Sequence, residues 1–337
     1  MKLIANPPNP FTSEVRELLG PPSEITPEIY EETVHTILSQ NTSPDLPFRW
    51  SLNPYRGCFH ACAYCYARPS HEYWGFGSGT DFESKLVVKI NAPEKLQETF
   101  HKPSWKGELI VFSGNTDPYQ PLEAEYKLAR SCLEICATFR NPVGIISKSA
   151  LLTRDIDVFQ DLRDTAWIRV FLSIPFASDQ VARKVEPQAP SITKRFGTLE
   201  ALAKAGIPTA VSIAPVIPGL NEHDIPQILS RARDAGAQHA TYILLRLNDN
   251  VEKVFLERMR HHFPHRIEKV ISRLKEVREG QMGERTFFKR HVGKGNTWEV
   301  IEQLFETAFR KNGFHHQAKD SIPSTFRRPG LTQLSLF

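Results

Sequence analysis

RWSLNPYRGCFHACAYCYAR, residues 49–68, decides how the rest of the chain is read. It opens as a short apolar run and becomes a loop carrying Cys58, Cys62 and Cys65 in the spacing C-x3-C-x2-C. Three thiols on one short loop can converge on a single inorganic centre. A structural zinc site normally takes four protein ligands, and the remaining two of the five cysteines, Cys132 and Cys136, do not supply the fourth. They stand four residues apart in a helix-period segment beside Leu133 and Ile135, and read as small buried hydrophobes. His60 lies between two of the cysteines, where a further ligand would be cramped. A cubane iron–sulfur cluster on three cysteines fits better, because one iron then stays open for an exogenous ligand.

Beyond this loop, short β-branched runs alternate with helix-period segments. Strands are predicted at 108–114, 142–148, 167–174, 208–217 and 240–247. Helices are predicted at 122–139, 154–164, 191–206, 224–236 and 250–263, and Gly206 and Gly236 stand where helix C-caps belong. Regular alternation implies parallel βαβ units. With 49–56 as the first of six strands, the expected fold class is α/β, a partial (β/α)6 TIM-like barrel over 49–263. Its chemistry belongs on the loops that follow the strands. Residues 1–48 read as an N-terminal arm with a short helix at 25–40. Residues 264–320 read as a C-terminal helical extension, with helices at 264–279 and 295–312, and 321–337 as a flexible tail.

A chain of 337 residues, 40% of them apolar, can bury a large core. The 42 basic residues offset 38 acidic ones to a net +4, which permits contact with a polyanion without arguing for it. No window approaches the roughly 18 apolar residues that a membrane helix needs, so no membrane is expected. MKLIANPPNPFTSEV, residues 1–15, has no apolar core of signal-peptide length, so the expected address is cytoplasmic. Thiols stay reduced there, and clustered cysteines read as metal ligands rather than as disulfides.

The cysteine spacing, with Tyr64 just before the last cysteine and Tyr66 after it, resembles the signature of radical S-adenosylmethionine enzymes. The likeness continues through CAYCYARPSHEYWGFGSGTDFESKLVVK (62–89), SGNTDPYQPLE (113–123), ARKVEP (182–187) and APVIPGLNE (214–222). Together these resemble the spore photoproduct lyase-related branch, and within it an uncharacterised bacterial subgroup. The resemblance covers roughly residues 50–280. It implies a barrel of the radical SAM type and a 4Fe–4S cluster on Cys58, Cys62 and Cys65. The open iron would chelate S-adenosyl-L-methionine. One electron, from a donor such as flavodoxin or ferredoxin, would cleave it to a 5′-deoxyadenosyl radical that abstracts a hydrogen atom from substrate.

The resemblance also assigns other residues. Ser113, Asn115 and Thr116 would hold the methionine part of the cofactor, with Asp117 ordering their loop. Lys148 would meet the methionine carboxylate, and Ser173 the ribose or the carboxylate. At Ala214 the backbone would approach the adenine, and Arg183 with Glu186 would form an ion pair at ribose or substrate. Tyr64 and Tyr66 fall on the cofactor side of the loop. Arg246 ends an apolar strand, where an arginine needs an anion, either a substrate phosphate or carboxylate or an internal acid. The lyase itself returns a hydrogen atom from a cysteine at the end of the second strand. VFSGNTD (111–117) has none, and Tyr119 is the nearby substitute.

QLSLF, residues 333–337, resembles the peptide with which bacterial replication and repair proteins dock on the DNA sliding clamp. Gln333, Leu334, Leu336 and Phe337 would carry that contact. The working function is DNA repair or nucleic-acid modification by hydrogen-atom abstraction. Its rivals are a radical enzyme for a small molecule or protein, and a non-catalytic zinc-binding adaptor.

Overall fold

The computed structural model describes residues 2–4, 26–248, 250–316, 322 and 324–329. In chain order the strands are β1 (Lys2–Ile4), β2 (Glu28–Glu32), β3 (Leu38–Gln40), β4 (Trp50–Leu52), β5 (Tyr55–Arg56), β6 (Lys85–Lys89), β7 (Ile110–Phe112), β8 (Val143–Ser147), β9 (Ile168–Ser173), β10 (Thr209–Val216) and β11 (His239–Leu244). The helices are α1 (Asp81–Ser84), α2 (Ala92–His101), α3 (Leu122–Tyr126), α4 (Leu128–Thr138), α5 (Ile156–Thr165), α6 (Asp179–Val185), α7 (Ile192–Lys204), α8 (Ile225–Asp234), α9 (Asn250–His262), α10 (Ile267–Val277) and α11 (Gly295–Lys311).

The larger sheet runs β11-β10-β9-β8-β7-β4-β3. Its members from β4 to β11 pair in parallel, and only β3 runs antiparallel, against β4. Strand order therefore follows chain order through six βα units, as in a partial (β/α)6 barrel. Parallel strands covered by helices are buried on both faces and need unbroken apolar runs. Ile110, Phe112, Val143, Ile145, Val170, Leu172, Val211 and Ile213 are accordingly all buried. The predicted helix at 122–139 is in fact α3 and α4, broken where Lys127 takes a left-handed φ of 54°.

A second sheet, β1-β2-β6-β5, lies beside the barrel entrance. Here the structure corrects two expectations. The arm segment 25–40 forms β2 and β3 rather than a helix. Ile29 and Tyr30 pair in parallel with Leu86 and Val87, a long-range partnership that local periodicity does not carry. The predicted first strand, 49–56, breaks at Asn53–Pro54. Trp50–Leu52 stays in the barrel, and Tyr55–Arg56 crosses to pair with β6.

In the extension, α10 and α11 form where helices are expected. Trp298, Ile301, Phe305 and Phe309 bury one face of α11, and Tyr242 of β11 lies 4.1 Å from the Phe305 ring. The tail is also corrected, as far as it is described. Phe326 stacks on Phe139 and meets Phe100 edge-on. Arg328 donates to the carbonyls of Phe100, Lys102 and Trp105, and Thr325 Oγ1 donates to that of Arg140. Gly107, at φ 70°, makes room, since a Cβ there would lie 2.1 Å from that of Phe326. Residues 333–337 lie outside the described residues. Among those described, no helix is long and apolar enough to cross a membrane.

Candidate active site at the cysteine loop

The cysteine loop rises from the C-terminal end of β4, by way of β5. Gly57 turns the chain at φ 71°, where a Cβ would come within 2.9 Å of both the His71 and Leu86 side chains. The Cys58 amide donates to Phe82 O at 2.9 Å, and the Cys65 amide to Cys62 O at 3.3 Å. Arg68, fully buried, staples the loop from inside. Its guanidinium donates to Cys62 O at 3.0 Å and Ala61 O at 3.2 Å, and to Glu83 at 2.5 Å. Arg258 of α9 reaches the same Ala61 carbonyl at 2.6 Å.

Cys58 and Cys62 are buried and Cys65 is partly open. The three sulfurs lie in electrostatic reach of one another, and burial pushes the thiols of Cys62 and Cys65 up. Among the described residues, no three His, Cys, Asp or Glu side chains converge on one metal ion. Three thiols on one short loop, each within electrostatic reach of the others, supply the soft ligand set that iron–sulfur clusters take. The donor set therefore fits a three-cysteine cubane.

The loop after β7 is bolted to the cysteine loop. Thr116 Oγ1 donates to Gly57 O at 2.6 Å and sits beside the Cys58 thiol. Asn53 Nδ2 donates to Thr116 O at 2.7 Å. Gln120 donates to Gly57 O and accepts from the Phe59 amide. Ser113 and Asn115 share this loop and are partly exposed. Asp117 does order it, accepting from Ser147 Oγ at 2.6 Å, from the Tyr119 amide at 2.9 Å and from the Lys148 amide at 2.8 Å.

Asp117 also lies 3.4 Å from Nδ1 of buried His60. Burial works to lower the imidazole pKa, but Cys58 and Asp117 beside it raise it to about 9. Burial likewise disfavours charge on Asp117, yet His60 holds its carboxyl at about 2. The row Asp117–His60–Cys58 thus ties the β7 loop to the Cys58 sulfur.

A second buried group forms around Glu186, just after α6. Its carboxylate accepts from Tyr64 Oη, pairs with Arg195 at 2.5 Å, and lies 3.9 Å from Lys148 Nζ. Burial works to lower the Lys148 pKa, but Cys62 and Glu186 more than reverse it. Its ammonium lies 5.7 Å from the Tyr64 ring centroid. Arg195 also donates to Ser173 O at 3.1 Å, and Ser173 Oγ to Ala214 O at 3.4 Å. The fold thereby connects Tyr64, Lys148, Ser173, Glu186 and Ala214 in one contact network along the strand ends.

Other expectations change. The Arg183–Glu186 pair does not form: Arg183 is exposed, and Arg195 from α7 takes Glu186 instead. A fully buried carboxylate needs a partner from inside the core, and Arg183 sits on the outer face of α6. Tyr119 does not offer its hydroxyl to the cysteines. It is fully buried and donates to Asp155 at 3.0 Å, within a network that includes Glu123 and Arg154. Tyr66, 59% exposed, stands at the mouth within electrostatic reach of Cys65, Lys148 and Arg246. Arg246 is half-buried beyond the end of β11. Sequence reasoning missed Arg68, Arg195 and Gln120, and treated His60 only as a cramped ligand. The available signal was charge at core-facing positions, since Arg195 directly precedes buried Phe196 in the pattern of α7.

Comparison with known proteins identifies the family. The model of the radical SAM superfamily matches residues 52–232. An uncharacterized protein of Mycobacterium tuberculosis is 35% identical over 232 residues, 66% of this chain and 68% of that protein. A radical SAM Nalpha-GlyT isomerase of a Pseudomonas phage is 25% identical over 213 residues, 62% of this chain and 42% of that protein. Among solved structures, spore photoproduct lyase with bound AdoMet and dinucleoside spore photoproduct superposes with a TM-score of 0.61 at 13% identity, over 85% of this chain and 79% of that one. The chain belongs to the radical SAM superfamily, whose members use a 4Fe–4S cluster and S-adenosylmethionine.

Proposed function

We propose that this protein abstracts a hydrogen atom from a nucleic-acid substrate, in DNA repair or in base modification. Cys58, Cys62 and Cys65 would hold the cluster. That group, when bound with S-adenosylmethionine, would supply the chemistry of hydrogen-atom abstraction. The chain's own residues position and shield. Lys148 offers a cation for the methionine carboxylate, held by Glu186 beside Tyr64. His60 and Asp117 place a hydrogen-bond donor beside Cys58. Hydrogen bonds to cluster sulfurs are one way a protein sets reduction potential. The buried Arg68 and Arg195 fix the surrounding backbone, so the site is organised before substrate arrives.

The observation that carries the nucleic-acid reading is the shared fold, over most of the chain, with a lyase seen bound to a dinucleoside lesion. The lesion chemistry of that lyase is not carried over, because no cysteine ends β7 and the Tyr119 hydroxyl is committed to Asp155. The clamp-docking reading of Gln333, Leu334, Leu336 and Phe337 belongs to the same proposal.

The test uses protein purified and reconstituted without oxygen, then reduced with S-adenosylmethionine. The wild type forms 5′-deoxyadenosine and Cys62→Ala forms none and lacks the brown chromophore. Deuterium from a sugar- or base-deuterated oligonucleotide then appears in the 5′-deoxyadenosine. Turnover without any deuterium transfer from nucleic acid moves the substrate to a small molecule or protein.

A further inference from the structure

The segment between α10 and α11 folds over the far end of β11. The Leu244 amide donates to His291 O at 3.0 Å. Buried Arg278 donates to the carbonyls of Leu245, Lys289, Arg290 and Val292. From the other side Asp45, on the loop between β3 and β4, clasps the same segment. It accepts from Arg290 Nε at 2.8 Å and Nη2 at 2.6 Å, and from the Phe288 amide at 3.1 Å.

Two aromatic rings held by this clasp face solvent. Phe287 is 44% exposed and Phe288 66% exposed. Phe288 takes a φ of 65°, a conformation that bulky side chains rarely adopt. The Arg290 guanidinium lies 4.9 Å from the Phe287 ring centroid. Arg285, Lys289 and Arg290 flank the rings in sequence, with Glu284 the nearest acid on the segment. Arg246 lies within electrostatic reach of Arg285 and Arg290, and also of Tyr66. Among the described residues no carboxylate pairs with Arg246, although the amide oxygen of Asn248 faces it at 3.1 and 3.2 Å. Asp45, the nearby acid, is bound to Arg290.

We infer that this loop grips a single nucleic-acid strand, with Phe287 and Phe288 stacking on unpaired bases while Arg246 and Lys289 take its phosphates and guide it to the mouth at Tyr66. This rests on the nucleic-acid reading above and names the surface that would serve it. Exposed rings set among cations match the alternation of flat bases and phosphates in a strand. An acidic peptide would satisfy the cations but leave the rings without a planar partner.

The test is fluorescence anisotropy with the full reconstituted chain, a fluorescein-labelled 16-mer deoxyoligonucleotide and its duplex, over a salt series. The variants are Phe287→Ala/Phe288→Gly, in which glycine accepts the positive φ, and Arg246→Gln. Both rings face solvent, so the double variant keeps the wild-type thermal melt, which shows that it folds. The wild type binds the single strand more tightly than the duplex. The double variant loses roughly ten- to a hundredfold in affinity, and Arg246→Gln lowers the salt slope by about one. If wild type and double variant bind equally well, the grip is refuted and the nucleic-acid reading stands. If the wild type binds neither oligonucleotide, the reading and the grip fall together.

Discussion

Glu186 is the side chain on which the buried half of the site turns. Three groups address it from three elements: Tyr64 on the cysteine loop, Lys148 after β8 and Arg195 on α7. Arg195 is fully buried, so removing its counter-charge leaves a cation without solvent. Glu186→Gln should cost about 3–5 kcal/mol of stability, read as a lowered urea midpoint. A double variant that also carries Arg195→Met should recover part of that loss. With Arg195→Met also measured alone, single-variant losses that add up to the loss of the double variant would mean that the pair is not coupled. At this scale the cysteines were legible because their spacing is itself the signal. Glu186 was legible too, but its partner was not, because an ion pair across nine residues and two helices leaves no local pattern. The contact of His60 with Asp117 was missed for a similar reason. Cysteines stand two residues to either side of it, while Asp117 arrives from another strand's loop.

Among elements, the six barrel strands were readable because each is an apolar run with few polar breaks. The small sheet was not, since β2, β5 and β6 gain their identity only by long-range pairing. β6 carries a consequence of its own. Lys89 is buried, with its ammonium donating to Asn53 O at 2.7 Å. Burial, aided by Arg56, lowers its pKa from 10.5 to about 8. Between about pH 8 and 10.5 the unfolded chain therefore holds a proton that the fold has shed. Stability should rise with pH across that window, reach its full value above 10.5, and be lost as pH falls through 8. Urea melts of the wild type should show the rise, and Lys89→Met should flatten it. An unchanged slope in the variant would assign the effect to another group.

For the molecule as a whole, the α/β class and the helical extension could be read from the alternation of runs, but the course of the final segment could not. A stretch with proline and arginine looks like a tail. It becomes structure only because Phe100, Trp105 and Phe139 leave a seat for Phe326, lined by carbonyls that Arg328 can cap. Phe326→Ala should cost about 2 kcal/mol, and ending the chain after residue 323 should cost at least as much. Thermal melts that match the wild type would show the segment to be a passenger.

That seat lies where β7 and β8 begin, whereas the cysteines lie where the parallel strands finish. Strands of three to five residues such as these span roughly 10–17 Å. The last described residues, up to Pro329, therefore sit at the opposite end of the barrel from the cysteines. A partner holding the chain there would grip it like a handle, with the mouth still facing outward and free to scan.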